Sequence, residues 1–470
     1  MPKKITAIVL LLALCFSLTA CAFPRKNAQT STETTPAAQE QAVNAADTAN
    51  TAEPKAATTT AEDNLDGYTL EKVVIFSRHN MRAPTKTASE LLAQVSPYNW
   101  TDYTAPYGEL TLLGGTQETA MGQYFRKYLV SKGFMDENWV PEDGEVRIYA
   151  NSFQRTIATA HYFSTGMFPA TNVEVEYHMD VGSMDPVFSP SFSMMNDAYR
   201  EQIQQELDAL ADGTGLQGYM EQYRDDIALL EDVVGFKDST YAKENNMTSF
   251  LDEESSIEYE LDSEPKATGG LKALNSACDS LIMQYYAQPD NVKASFGKDL
   301  TYEQWQAIGR VGSMYNDVLF ALPSVAVNIS NPQLKELRSE MTNDERKFTF
   351  LCGHDSNVAP MLAALGVGDY EVDGNITKLT PIGVKLVWEK YVNQDGQAYC
   401  RFSMVYQQSE KLRSNSLITL DNPPVWISLD LTGLEKNADG LYLWDDVVAR
   451  FDEAIAAYDE LPTGDAEVAA

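Results

Sequence analysis

The sequence contains few cysteines, and their number and spacing exclude two kinds of stabilised scaffold. Of the 5 cysteines, Cys15 and Cys21 lie in the N-terminal segment, which leaves Cys278, Cys352 and Cys400. These three do not have the paired spacing of a zinc site. Three cysteines can form at most one disulfide, so the sequence does not encode a disulfide framework.

Basic residues are also scarce. The chain has 35 Lys and Arg against 68 Asp and Glu, a formal net charge of −33. Nonspecific nucleic-acid binding requires clustered basic side chains that neutralise phosphates, so this class of partner is excluded. The HExxH motif of zinc proteases and the GxSxG motif of serine hydrolases are absent as well. We expect no metal or other cofactor, and an anionic substrate would need a local group of basic side chains.

The N-terminus has the pattern of an export signal. Lys3 and Lys4 precede an apolar run over residues 5–14 that is too short to form a stable transmembrane helix. A Leu-Thr-Ala sequence then leads into Cys21, which resembles the lipobox of bacterial lipoproteins. We predict a signal peptide over residues 1–20 and a lipid on Cys21 that anchors the exported chain at the cell surface or the periplasmic face. An ordinary secretory signal with a chance cysteine, or a buried N-terminal helix, remains the alternative.

Residues 21–66 are rich in Ala, Thr, Glu and Gln and contain almost no large apolar side chain. Such a segment cannot bury enough surface to offset the entropy of ordering, so we predict a disordered tether. Aromatic and aliphatic residues are frequent from there to about residue 461. The remaining length is enough for one large domain with an insertion, or for two domains.

Apolar, strand-like runs end in polar corners at three places. "LEKVVIF" ends at Phe76 before "SRHNMRAP", where Pro84 prevents simple continuation of the strand. "VRIYA" leads to a corner where Asn151 or Ser152 can cap a helix that carries Arg155. "KFTFLC" leads through "GHDSN" to a short apolar helix. Strands that each lead to a helix indicate βαβ units, and we predict an α/β fold with a three-layer αβα sandwich and a mostly parallel sheet.

The pattern changes to long amphipathic stretches between residues 185 and 314. Examples are "YREQIQQELDALADG", "MEQYRDDIALLEDVV" and "LKALNSACDSLIMQYYAQ". We predict an α-helical cap over residues 185–314, inserted into an α/β catalytic domain made of residues 67–184 and 315–465. The cap is expected to cover the carboxyl edge of the sheet, where α/β proteins bind their ligands.

Two of the four histidines, His79 and His354, occupy these polar corners. "RHNMRAP" resembles the RHGxRxP signature of the histidine acid phosphatase family, which is branch 2 of the histidine phosphatase superfamily, and "GHD" resembles its distal His-Asp element. Either motif alone is modest evidence, but both in order, with an arginine corner between them, are strong evidence. The resemblance implies a phosphoglycerate mutase-like αβα fold and a metal-independent phosphomonoesterase.

The resemblance also implies a role for each motif residue. His79 is the expected nucleophile, which forms a phosphohistidine, and Asp355 is the expected acid and then base for the leaving oxygen and the attacking water. Arginine holds phosphoryl oxygens with paired donors and stays charged at any working pH. The side chains expected to bind the phosphoryl group are Arg78, Arg82, Arg155 and His354. Each of these residues taken alone can instead form an ordinary structural contact.

Other segments, such as "ANSFQRTIATA" and "TPIGVKLVWEK", resemble the glucose-1-phosphatase members of the family. Asn80 favours the same members, because phytase-type relatives more commonly have Gly there. This match places Glu264 in the pocket as an acceptor for sugar hydroxyls, with a solvated surface charge as the alternative. "RAPTK" resembles instead the phytase version of the motif, in which Lys86 can contact an additional phosphate, although a lysine after a loop proline is usually just exposed.

These observations predict an exported acid phosphatase that acts on small phosphomonoesters, such as the sugar phosphate glucose 1-phosphate. Phytase-type hydrolysis of inositol phosphates is the alternative within the family. A non-catalytic lipoprotein that binds phosphoesters is the alternative of another class. His79 and Asp355 argue against it, because a binding protein needs neither a nucleophile nor an acid. The sequence does not indicate the oligomeric state.

Overall fold

Residues 65–462 and the backbone of residues 467–468 are described in a computed structural model. They belong to one compact unit. The predicted signal peptide, Cys21 and nearly all of the predicted tether lie outside the described residues. No helix within the described ranges combines the length and apolarity needed to cross a membrane.

The centre of the molecule is an eight-stranded sheet in the order β10-β9-β8-β1-β7-β2-β3, with β11 also paired to β9. Strands β1, β7, β2 and β3 are parallel neighbours, whereas β8, β9, β10 and β11 pair antiparallel. Two small sheets pair β4 with β12 and β5 with β6. The strands are β1 (Tyr68–Arg78), β2 (Val146–Ala150), β3 (Val175–Glu176), β4 (Met194–Met195), β5 (Ser256–Glu258), β6 (Lys266–Thr268), β7 (Phe348–Gly353), β8 (Lys385–Asn393), β9 (Ala398–Tyr406), β10 (Val425–Ser428), β11 (Tyr442–Leu443) and β12 (Glu467–Val468).

Helices cover both faces of this sheet and form a separate cap. The helices are α1 (Lys86–Val95), α2 (Leu112–Ser131), α3 (Gln154–Met167), α4 (Asp197–Leu210), α5 (Gly215–Glu221), α6 (Arg224–Val234), α7 (Thr240–Asn245), α8 (Gly269–Ala287), α9 (Asn291–Ala294), α10 (Tyr302–Leu319), α11 (Pro323–Thr342), α12 (Asp355–Ala364), α13 (Ser409–Arg413) and α14 (Trp444–Ala456). One face of the sheet packs on α2 and α3, and the other on α11, α12 and α14. The predicted αβα fold class is confirmed.

Two glycines allow α2 and α3 to pack closely against each other. A Cβ atom on Gly122 would lie 2.2 Å from the carbonyl oxygen of Phe163, and one on Gly166 would lie 2.2 Å from that of Thr119. Any larger residue at either position would therefore force the two helices apart. The close packing holds α3, which carries Arg155, at a fixed height above the sheet.

The cap has its own apolar core, built mainly from α4 to α10. The boundary predicted after residue 314 falls inside α10, and side chains of α1 and α11, such as Leu92 and Ile329, also join this core. Amphipathic periodicity predicts that these helices exist, but it does not show which core each apolar face contacts. The cap limits of 185–314 therefore stay a prediction. A boundary at the end of α10 would keep that helix whole within the cap.

The three cysteines outside the N-terminal segment do not form a disulfide. Cys278, Cys352 and Cys400 are all free and completely buried. Their thiols lie in different parts of the core, one in α8, one in β7 and one in β9. Packing of apolar side chains, and not cross-linking, stabilises the described fold.

The register of the central strands brings their polar corners together. Arg78 at the end of β1 pairs with Gly353 at the end of β7, and Ala150 at the end of β2 pairs with Cys352. Because these strands are parallel, the residues that follow them emerge at the same edge of the sheet. The three corners predicted from the sequence therefore meet at one place.

Candidate active site

His79 and His354 lie next to each other at this edge. Their ring centroids are 5.4 Å apart at an interplanar angle of 71°. His79 directly follows β1, whereas His354 caps α12 and Asp355 is the first residue of that helix. Arg155 in the first turn of α3 brings its Nη2 atom to 3.3 Å from Nδ1 of His354. Residues far apart in sequence thus form a single polar cluster.

One hydrogen bond fixes the protonation of the His79 ring. Its Nδ1 atom lies 2.8 Å from the carbonyl oxygen of Asn80, which can only accept, so Nδ1 carries the proton. Nε2 is left with a free electron pair and has no hydrogen-bond partner among the described residues. Burial, followed by the charges of Arg155 and the other site arginines, holds the pKa of His79 well below its usual range. The ring is therefore neutral, and able to act as a nucleophile, in acidic solution.

Asn80, whose carbonyl accepts the His79 hydrogen bond, is held in place through its side chain by a buried polar network. The Asn80 Nδ2 atom donates to Glu118 at 2.8 Å, and Glu118 pairs with Lys385 at 2.7 Å, with both charged side chains fully buried. Lys385 also donates to the carbonyl of Gly383 at 2.8 Å. Gly383 has φ +68°, and a Cβ atom there would lie 2.6 Å from the Asn80 amide nitrogen. Loss of one member of such a buried pair typically costs about 3–5 kcal/mol.

Two guanidinium groups carry donors that the protein leaves unused. Arg78 donates to the carbonyl of Thr380 and pairs with Asp355 at 2.9 Å, yet its buried Nε has no partner among the described residues. The buried Nε of Arg155 is also without a partner there. Burial, followed by the charge of Arg82, lowers the pKa of Arg155 to about 10, which keeps it charged at acidic and neutral pH. Buried donors without acceptors are costly, and an anionic oxygen would satisfy them.

Arg82 completes the basic cluster from the loop after β1. Its Nη2 atom pairs with Asp279 of α8 at 3.1 Å. This ion pair connects the α/β domain to the cap at the edge of the site. Asp279 was not among the predicted residues, because one acidic residue in an amphipathic helix cannot be distinguished from a solvated one by sequence.

Asp355 pairs with Arg78 and remains partly open to solvent. Its side chain is 36% exposed, and its Oδ1 atom accepts the backbone N–H of Ser356 at 3.1 Å. Burial raises its pKa, but the charges of Arg78 and Arg82 outweigh burial and hold the pKa below its usual range. The unliganded group is therefore ionised over most of the acidic range.

A cavity of about 720 Å³ opens on the side of this cluster formed by Arg78, Arg82 and Asp355. Its lining includes Arg78, Arg82 and Asp355 from the edge of the sheet and Glu264 and Asp279 from the cap. Burial, followed by the Asp355 charge, raises the pKa of Glu264. The structure therefore places Glu264 in the same cavity as Arg78, Arg82 and Asp355.

Lys86 is placed differently from the other predicted site residues. It begins α1, its side chain is 73% exposed, and it pairs with Glu90 at 3.8 Å along the same helix. Its neighbours Thr85 and Thr87 line the cavity, but Lys86 does not. The structure therefore places Lys86 outside this cavity, because the helix that starts there turns the side chain toward solvent.

The sequence predicts Asn151 or Ser152 as the cap of α3, but in the structure the N-cap of α3 is Phe153. The Asn151 side chain turns instead to His354, with its Nδ2 atom 2.7 Å from Nε2 of that ring. The signal available in the sequence was its position at the end of a strand, beside the arginine corner. That signal did not distinguish capping from contact with the site.

A central α/β sheet whose parallel strands bring two histidines and three arginines to one edge defines a class of phosphoryl-transferring enzyme. The sequence model of the histidine phosphatase superfamily (branch 2) matches residues 69–216. The glucose-1-phosphatase of Salmonella typhimurium is 34% identical over 386 residues, covering 81% of this chain and 91% of that protein. The glucose-1-phosphatase of Providencia rettgeri is 31% identical, covering 84% of this chain and 94% of that protein.

A solved structure of the phytase from Citrobacter braakii superposes with a TM-score of 0.74 at 25% identity, covering 83% of this chain and 98% of that chain. The chain belongs to branch 2 of the histidine phosphatase superfamily, and the predicted family is confirmed. Membership makes it a phosphomonoester hydrolase.

Proposed function

We propose that this enzyme hydrolyses small sugar phosphates, such as glucose 1-phosphate, through a phosphohistidine intermediate on His79. The observation that carries the proposal is the bare Nε2 atom of His79 in a cluster with Arg78 and Arg155, whose buried Nε donors have no acceptor among the described residues. A dianionic phosphoryl group would satisfy those donors and lie within reach of the nucleophile. Arg78, Arg82, Arg155 and His354 are the proposed phosphate-binding residues.

In the first half-reaction, the electron pair on Nε2 of His79 attacks phosphorus and the bond to the leaving oxygen breaks. The leaving oxygen takes a proton from Asp355, which becomes a carboxylate. The Nδ1–H bond to Asn80 stabilises the positive charge that develops on the ring. A bound phosphate dianion counteracts the arginine charges that lower the Asp355 pKa, so substrate binding itself favours the protonated acid.

In the second half-reaction, the Asp355 carboxylate removes a proton from a water molecule while the water oxygen attacks phosphorus. The P–N bond breaks, its electron pair returns to Nε2, and inorganic phosphate leaves. Asp355 then holds the proton that the next leaving group requires. One carboxyl group serves both half-reactions, and the balance of protons needs no other group.

The charges of the cavity favour a neutral sugar over a polyphosphate. Three carboxylates, Glu264, Asp279 and Asp355, line it together with Lys266, Arg78 and Arg82. Additional phosphates of an inositol phosphate would meet carboxylates outside the arginine cluster, whereas sugar hydroxyls can donate to them. The names of the two glucose-1-phosphatase relatives support this choice. The phytase with a similar fold keeps inositol phosphate hydrolysis as the second candidate.

We expect Glu264→Gln to raise KM for glucose 1-phosphate about tenfold, because a hydrogen bond to a charged group contributes about 1.5–3 kcal/mol. The KM for p-nitrophenyl phosphate, which has no sugar hydroxyls, should not change. Phosphate release near pH 5 with EDTA present measures both, with phytate as a third substrate. Lys86→Ala is the control and should leave all three rates unchanged. A wild-type preference for phytate would assign the enzyme to the second candidate.

We further propose that the chain is exported and anchored by a lipid on Cys21. The proposal is supported by the basic, apolar and small-residue pattern that precedes this cysteine. Labelled palmitate should be incorporated into the wild-type chain and absent from Cys21→Ser, which should move from the membrane fraction to the soluble fraction. Equal membrane association of the two chains without label would contradict lipid anchoring.

A further inference from the structure

The orientation of the Asn151 amide is determined by its neighbours. Its Oδ1 atom accepts the backbone N–H of Ser152 at 2.8 Å and that of Asp185 at 3.0 Å. An oxygen is the only atom of the amide that can accept both, so the other atom must be the NH₂ nitrogen. This Nδ2 atom lies 2.9 Å from Sδ of Met184 and 2.7 Å from Nε2 of His354. Each of its two hydrogens thus has an acceptor.

This contact determines which nitrogen of His354 carries the proton. A proton on Nε2 would face the hydrogen of the Asn151 amide across 2.7 Å, which is repulsive. Nε2 must therefore be bare, and a neutral ring then carries its proton on Nδ1. The charged groups around this ring are Arg78, Arg82, Arg155 and Asp355, and His79 lies edge-on to it.

We propose that Asn151 is a positioning residue that holds His354 as the neutral Nδ1–H tautomer, so that Nδ1 donates a hydrogen bond to the transferring phosphoryl group. Nη2 of Arg155, which can only donate, faces Nδ1 of His354 at 3.3 Å. This contact is longer and weaker than the 2.7 Å contact between Asn151 and Nε2, so the Asn151 contact decides the tautomer. An anionic oxygen that accepts from both Nη2 of Arg155 and Nδ1–H of His354 would relieve the opposition of the two donors. This inference rests on the phosphate-binding role proposed above for His354.

In this arrangement both site histidines have the proton on Nδ1, but the two rings have opposite functions. His79 uses its Nδ1–H on the Asn80 carbonyl and presents a bare Nε2, which is a nucleophile. His354 uses its bare Nε2 on Asn151 and presents Nδ1–H, which is a donor. The hydrogen bond behind each ring, and not the ring itself, decides which histidine attacks and which one binds.

Nitrogen NMR of the full-length chain with labelled histidine tests the tautomer directly, because there are only four histidines to resolve. The His354 signals, assigned by their loss in His354→Gln, should show protonated Nδ1 and bare Nε2 between pH 5 and 7. In Asn151→Ala the ring should become a mixture of tautomers. A protonated Nε2 in the wild-type enzyme would overturn the proposal. If the wild-type chain shows the Nδ1–H ring but hydrolyses no phosphomonoester, the tautomer proposal is upheld and only the proposed function is refuted.

Kinetics of p-nitrophenyl phosphate hydrolysis distinguish positioning from support of the fold. Asn151→Ala should lower kcat/KM about 10- to 100-fold at all pH values. Asn151→Asp presents a carboxylate to Nε2, which then must carry a proton. At pH 4.5 the ring of this variant is doubly protonated and keeps Nδ1–H, so its activity should be within about threefold of wild type. By pH 7 the Nδ1 proton is lost, and activity should be at least about tenfold below wild type at that pH. A deficit that does not change with pH would overturn the proposal.

Discussion

Replacement of His79 by alanine is expected to lower kcat for p-nitrophenyl phosphate by at least about 10⁴-fold, because no other side chain at the site offers a bare nitrogen to phosphorus. The arginine cluster stays intact, so binding of the phosphoryl group should be retained. Release of p-nitrophenol near pH 5 measures the first effect, and protection of the resting enzyme against thermal unfolding by inorganic phosphate measures the second.

His161→Ala is the matched control for this experiment. His161 is an exposed residue of α3. No charged group shifts its pKa, which is lowered only by partial burial of the ring. It is therefore a histidine of the same chain that lies outside the charged environment of the site. We expect wild-type activity from this variant. If His79→Ala retains more than about one hundredth of the wild-type rate while folded, then His79 is not the nucleophile. If wild type binds phosphate but hydrolyses no phosphomonoester, the non-catalytic binding lipoprotein becomes the better description.

The inner part of the fold was predictable from the sequence, and the outer strands were not. β1 and β7 are buried apolar runs that end in polar corners, and β2 ends at the residue predicted from "VRIYA". Such runs indicate strands because both faces are covered by helices. The antiparallel pairing of β8 and β9 depends on long-range register, which a local pattern does not contain.

Some residues of the candidate site were likewise predictable from the sequence, and others were not. The motif residues could be placed because parallel strands bring their carboxyl ends to one edge. Asp279 could not, since its pairing with Arg82 depends on how the cap packs over the sheet. The position of Lys86 outside the cavity was not predictable for a related reason, because proximity to a motif in sequence does not fix the direction of a side chain on the helix that starts there.

Asp355→Asn is expected to separate the two half-reactions. The amide keeps the size of the carboxyl group and can still accept a hydrogen bond from Arg78, but it can neither give a proton to the leaving oxygen nor take one from water. With glucose 1-phosphate, whose leaving group needs a proton, kcat should fall about 10²- to 10⁴-fold. With p-nitrophenyl phosphate the leaving group departs without an acid, so the first half-reaction should stay fast and the second should become slow.

The predicted signature is a burst of about one p-nitrophenol per enzyme, followed by slow turnover, with phosphohistidine accumulating on His79. Rapid mixing measures the burst, and phosphorus NMR in alkali, where phosphohistidine is stable, detects the intermediate. Asp279→Asn is the control, because it removes a carboxylate of the same cavity that pairs with Arg82 but does not pair with Arg78. It should raise KM without a burst. Equal losses for both substrates without a burst would show that Asp355 only orients Arg78, and that another group handles the protons.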